Sequence, residues 1–173
     1  MVAISRVLIT VALLGLIGFP AARARTIQNP DFSLRALDGP AVTAESLRGE
    51  VVVLAFGASW LPLTRTQMEG LKKLADQYAA RGVIVYWVST DSESAKSKNF
   101  AADEQLRELG RRYKITVLRD PDGATSKRLG VDQVPATIIL NKQGQIAANV
   151  SGIDPTTDLA KQLSDRLDKV LQG

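Results

Sequence analysis

Phe56 to Leu71 reads FGASWLPLTRTQMEGL and follows directly on Val51–Val52–Val53–Leu54–Ala55. The run before it is continuous, apolar and rich in β-branched residues, which predicts a strand buried on both faces. After it, Met68, Leu71, Leu74, Ala75 and Tyr78 recur at spacings of three and four, which predicts a helix ending at Gly82. Gly70 inside that helix is expected to bend it. In open α/β sheets, ligands gather outside the carboxyl ends of strands, where such a strand–turn–helix junction lies. Yet the turn holds Leu61, Pro62, Leu63 and Thr64, with no evident nucleophile, base or metal ligand.

Outward from this junction the pattern alternates. Upstream, Asp31–Ala36 and Ala41–Thr43 flank Leu37–Asp38–Gly39–Pro40, a hairpin with an Asp-Gly turn, and Thr43–Gly49 reads as one helical turn capped by Thr43. Downstream, Val83–Val88 (VIVYWV) is a second buried strand, and Ala102, Leu106, Leu109 and Tyr113 make an amphipathic helix. Asp91–Asn99 between them is a polar loop. Thr116–Leu118 is a short strand, Asp120–Gly123 a turn, and Ala124–Leu129 a short helix closed by Gly130. Ala136–Leu140 and Gln145–Val150 form a hairpin across Asn141–Gly144. Asp154 is expected to cap, and Pro155 to start, a last helix in which Leu159, Leu163, Leu167 and Leu171 recur every four residues. The sum is an α/β chain with a mixed central β-sheet and helices on both faces.

The N-terminus reads differently. Arg6 precedes a 13-residue apolar run, Val7–Phe19, then Pro20 and the small-residue site Ala22–Arg23–Ala24. This predicts a signal peptide over residues 1–24, cut before Arg25, and a single domain over 25–173. The apolar run is shorter than the ~20 residues of a spanning helix, so the membrane enters only through an uncleaved leader. Export across the inner membrane to the periplasm is the expected localisation. Lipidation at such a site needs a cysteine, and the sequence has none.

Composition narrows the chemistry. Two of the 22 basic residues, Arg6 and Arg23, lie in the leader and none of the 18 acids does, so the net charge falls from +4 to +2 on cleavage. With no run of five or six like charges, nucleic acid is not an expected partner. Cys and His both number zero. That removes disulfide staples, thiolates, imidazole bases and zinc sites of the Cys/His type. Asp91 with Glu93 and Asp120 with Asp122 are acid pairs that turn chemistry explains without a metal. Neither a metal nor a cofactor is expected.

The opening stretch resembles the active-site segment of the thioredoxin-like redoxins. That group includes exported thiol–disulfide oxidoreductases of cytochrome c maturation and the alkyl hydroperoxide reductase/thiol-specific antioxidant relatives. Their segment runs F-W-A-S-W-C-P-P-C-R-x-E-M-P-x-L, and Phe56, Ala58, Ser59, Trp60, Pro62, Arg65, Met68 and Leu71 match it in register. Pro30–Asp31–Phe32, Asp120–Gly123, Gly130–Val131, Val134–Pro135–Ala136–Thr137 and Asn141–Gly144 resemble further family segments in the same order, so the likeness spans residues 27–171. It implies a thioredoxin-like fold with a cis-proline loop at Val134–Pro135.

The resemblance breaks where the reaction is done. Leu61 and Thr64 stand at the two cysteine positions, Leu63 at the second proline, Gln67 at the glutamate and Glu69 at the helix proline. Disulfide exchange needs one thiolate to attack and a second thiol to resolve. Leu61 has no lone pair, and the Thr64 hydroxyl has no histidine to activate it. Thr64 reads instead as a helix cap with Gln67 as its reciprocal partner. No catalytic residue is expected. Trp60, Leu61, Pro62, Leu63, Val134 and Pro135 are the candidate binding residues for a protein or peptide partner in the cell envelope. The alternative is an oxidoreductase by descent that works only with a thiol supplied by a partner.

Overall fold

The structure, a computed structural model, describes residues 29–173; the leader expected over 1–24 lies outside the described residues. In chain order the elements are β1 (Ser33–Ala36), β2 (Val42–Thr43), β3 (Val51–Gly57), α1 (Thr64–Tyr78), β4 (Val83–Ser89), α2 (Asp103–Tyr113), β5 (Thr116–Arg119), α3 (Ala124–Arg128), β6 (Ala136–Leu140), β7 (Ile146–Ser151) and α4 (Leu159–Gln172). The strands form one seven-stranded sheet in the order β2-β1-β5-β4-β3-β6-β7. β3, β4 and β5 run parallel, while β6 pairs antiparallel with β3 and β1 antiparallel with β5.

β3 lies between β4 and β6, and every one of its residues is buried, as its unbroken apolar run requires. Alternation along the strands sorts the core into two layers. Val51, Val53, Ala55, Val85 and Trp87 pack with Met68, Leu71 and Leu74 of α1, Leu106 of α2 and Leu163 and Leu167 of α4. Val52, Leu54, Phe56 and Val88 face the opposite side with Phe32, Leu34, Leu47, Leu129 and Val131. The sheet is therefore covered on both faces, by the three long helices on one and by α3 with the Leu47 turn on the other.

Two local expectations are corrected. Residues 44–50 form successive turns rather than a helical turn. There the Thr43 hydroxyl accepts from the Ser46 N–H, and the Ser46 hydroxyl donates to the Thr43 carbonyl, which closes a turn without starting a helix. The last helix begins at Leu159 with Asp158 as its cap, not at Pro155. The Asp154 carboxylate accepts from the Thr156 N–H and hydroxyl, fixing a separate turn, and the Gln162 amide reaches back to the Asp154 carbonyl. Gly70 marks a close approach, since a Cβ there would lie 2.5 Å from Leu159 Cβ. α1 runs unbroken through it from Thr64 to Tyr78 and continues as a 3₁₀ turn to Arg81, and Gly82 ends it at φ 73°.

Candidate functional site

β3 delivers the chain at Gly57 to a turn, Ala58–Leu63, and α1 starts at Thr64. The turn closes on itself through Leu61 N–H to Ala58 C=O (3.1 Å) and Thr64 N–H to Leu61 C=O (3.1 Å). Phe56 of β3 pairs with Ala136 of β6, so the turn leaving β3 and the Val134–Pro135 step entering β6 emerge at the same end of the sheet. The Val134–Pro135 peptide bond is cis.

The six candidate binding residues thus lie on two neighbouring segments. Trp60 is 55% exposed, the largest exposure among the big apolar side chains of the described residues. Pro62 is exposed, and Leu61, Leu63, Val134 and Pro135 are half-buried. The Val134 N–H and C=O meet no hydrogen-bond partner among the described residues.

Beneath this rim the polar side chains turn inward. Thr64 is buried and its hydroxyl donates to the Ala58 carbonyl at 2.6 Å. Gln67, 1% exposed, donates from Nε2 to the Phe56 carbonyl (3.1 Å) and accepts at Oε1 from the Trp87 indole N–H (2.9 Å). The capping box expected of Thr64 and Gln67 is therefore corrected. Leu63 is the N-cap residue, without a side-chain bond, and both polar groups tie α1 to the end of β3 instead. A carbonyl and an indole N–H buried in the core need partners more than an exposed helix end does, because water can serve the latter. Gly57 admits this brace, since a Cβ there would collide with Gln67 Oε1 and stand 2.7 Å from Trp87 Nε1.

Asp91, just past β4, is fully buried and holds the turn from below. Its carboxylate accepts from the Ser59 N–H (2.9 Å), the Ser59 hydroxyl (2.9 Å) and the Ser89 hydroxyl (2.7 Å). Thr90 adds an N–H bond to the Gly57 carbonyl at 2.9 Å. Asp120 plays a comparable part at α3, taking the Thr125 and Ser126 N–H groups and the Ser126 hydroxyl. Asp120 is thus filled by its own loop, as turn chemistry requires, whereas Asp91 is filled chiefly from the separate turn that follows β3. Sequence reading singles out Asp91 only as half of an acid pair. Its hold on Ser59 joins residues 32 apart, and no local spacing signals it.

Chemically the arrangement is a rigid, apolar-faced turn. Leu61 in this turn has a side chain without a heteroatom, and the Thr64 hydroxyl at its end is committed to a carbonyl. No base lies within the turn.

Residues 27–149 match the AhpC/TSA family. The chain is 31% identical over 126 residues to the thiol:disulfide interchange protein DsbE of Pseudomonas aeruginosa, a match spanning 72% of this chain and 64% of that protein's length. It is 24% identical over 174 residues to the thiol-disulfide oxidoreductase ResA of Bacillus thuringiensis subsp. konkukian, covering 95% of this chain and 94% of that one. In fold it is similar to a secreted Mycobacterium tuberculosis disulfide oxidoreductase homologous to E. coli DsbE, with a TM-score of 0.63 and 22% identity over 82% of this chain and 97% of the other. The chain belongs to the AhpC/TSA family, as a thioredoxin-like redoxin whose sequence contains no cysteine.

Proposed function

We propose that this protein is a non-catalytic binding or accessory protein of the cell envelope, which holds a protein or peptide partner at the rim formed by Trp60–Leu63 and Val134–Pro135. The observation that carries this reading is the fate of the two redox positions. Leu61 offers only an apolar contact, and the Thr64 hydroxyl is spent on Ala58, while Trp60 stands exposed beside them. The Val134 N–H and C=O, without a partner among the described residues, support docking of an extended segment through main-chain bonds. An exposed aromatic with flanking apolar side chains supplies the contact surface. The leader-like pattern of residues 1–24 and the likeness to a protein described as secreted support the envelope as its place of work.

The test is a trap. Leu61→Cys, with Thr64 left in place, creates a thiol whose mixed disulfides cannot be resolved. Expressed in the envelope and run on a non-reducing gel, it is expected to give a small, reproducible set of adducts. A folded variant that reacts with a small thiol probe but gives no adducts would remove the rim from consideration. Reduction of insulin or peroxide by the purified wild-type protein would overturn the non-catalytic reading itself.

A further inference from the structure

Arg119 closes β5 with a side chain that solvent does not reach (0% exposed). Its Nη1 donates to the Ala101 carbonyl (3.1 Å) and to Asp103 Oδ1 (2.9 Å), and its Nη2 to the Asp91 carbonyl (3.0 Å). Its Nε meets no hydrogen-bond partner among the described residues; Glu93 Oε1 stands 3.8 Å away. A guanidinium remains charged at any working pH, so it cannot shed an unmatched donor by losing the proton.

Arg35 lies directly across from Arg119 in the β1–β5 pairing. Two cations facing one another need carboxylates between them. Asp103 supplies one: it takes both Arg35 nitrogens, at 2.9 and 3.0 Å, as well as Arg119. The hydrogen bond from Arg35 holds its carboxyl below the usual carboxylate range. Glu93 supplies the other on weaker terms. It sits in the loop before α2 with its side chain 48% exposed, and one hydrogen bond, from Arg35 Nη2 at 2.6 Å, retains it. These residues line a cavity of about 410 Å³ whose wall includes Phe100, 41% exposed.

Without Glu93, the two arginines and Asp103 sum to one positive charge. One carboxylate neutralises them, whereas a dianion reverses the sign in a partly buried site. We propose that this cavity binds a small organic monocarboxylate, whose carboxylate displaces that of Glu93 and bridges Arg35 Nη2 and Arg119 Nε, with its organic part against Phe100. Glu93 is then an internal stand-in, close enough to balance Arg35 but too far to satisfy Arg119. Planar, two-point recognition of this kind is what guanidinium groups favour.

The experiment titrates the purified, isotope-labelled protein with propionate at pH 7.5 and constant ionic strength, following the backbone amides of Phe100 to Asp103 and the Arg119 Nε–H by NMR. Saturable shifts are expected in the wild type. In Glu93→Gln, which removes the competing charge from a half-exposed loop position, the Kd is expected to fall at least tenfold. Arg35→Met, also at a half-exposed position, is expected to abolish the shifts while leaving the remaining spectrum intact. Sulfate is expected not to compete with propionate in Glu93→Gln. The proposal is overturned by non-saturable shifts in both wild type and Glu93→Gln, by equal affinity in the two, by binding that survives Arg35→Met, or by sulfate competing as well as propionate.

Discussion

Asp91 accepts from both the N–H and the hydroxyl of Ser59, so a buried carboxylate beyond β4 sets the height of the turn that follows β3. Ser89 donates to the same carboxylate from one residue before Thr90, which itself bonds to Gly57. The turn owes its shape to this hold and to Thr64, with no cross-link through sulfur. Asp91→Ala leaves three buried or half-buried donors without an acceptor. A loss of about 2–4 kcal/mol is expected, given the strength of hydrogen bonds to charged groups. A lower urea midpoint with an unchanged slope, and faster amide exchange at Ser59, are the measurements that check it.

Replacing Gln67 by glutamate is expected to produce a pH effect opposite in sign to that of a salt-bridged carboxylate. In Gln67→Glu the ionised side chain still accepts from Trp87 but cannot donate to the Phe56 carbonyl, and burial disfavours its charge. The folded pKa of the introduced carboxyl is therefore raised. Its contribution to stability is fully present below the unfolded pKa and is lost as pH rises through the folded value. The variant is expected to be less stable than wild type at pH 7 and to close the gap below about pH 4. Urea midpoints of the two proteins across this range decide the matter.

Gly70→Ala sets two effects against each other. Alanine raises helix propensity by up to about 1 kcal/mol. The new Cβ, however, would meet Leu159 Cβ at 2.5 Å, between two helices that are both anchored in the core. Overpacking of this kind costs about 1–3 kcal/mol, so net destabilisation is expected. A raised melting temperature would show that α4 yields at no cost.

The wild-type pH profile follows from composition and a few pairs. Asp103, Asp158 and Asp168 have carboxyls held below the usual range, chiefly by hydrogen bonds from Arg35, Lys73 and Arg81. A carboxyl depressed on folding stabilises fully above its unfolded pKa of about 4, and that contribution is lost as pH falls through the folded value. The sequence has no histidine to titrate near neutrality. The urea midpoint is therefore expected to stay level between about pH 5 and 8 and to fall below about pH 4. A step between pH 5 and 7 contradicts this assignment.

Regular elements were legible where one physical requirement dominates. The unbroken apolar runs Val51–Phe56 and Val83–Val88 are short and rich in β-branched residues, as strands between two layers require, and the spacing of Met68, Leu71 and Leu74 suits a helix lying on them. Errors fall where one side-chain bond serves two purposes. Thr43 and Asp154 make the same hydroxyl or carboxylate bonds to backbone in a lone turn as at a helix start, so sequence does not distinguish the two.

The site was half legible for a similar reason. The absence of sulfur at Leu61 and Thr64 is a matter of residue identity, and the exposed Trp60 follows from its place in the turn. What holds the turn depends on contacts between distant segments. Gln67 reaches Trp87 across 20 residues and Arg119 reaches Asp91 across 28, distances at which local spacing carries no information.

Trp60 and Trp87 are the chain's two tryptophans, one 55% exposed at the rim and the other wholly buried against Gln67. Their emission is therefore divided by environment. Trp60 is open to a soluble quencher and to shielding by whatever covers the turn, while Trp87 answers only to loss of the core. Label-free fluorescence can distinguish occupancy of one end of the sheet from melting of the whole.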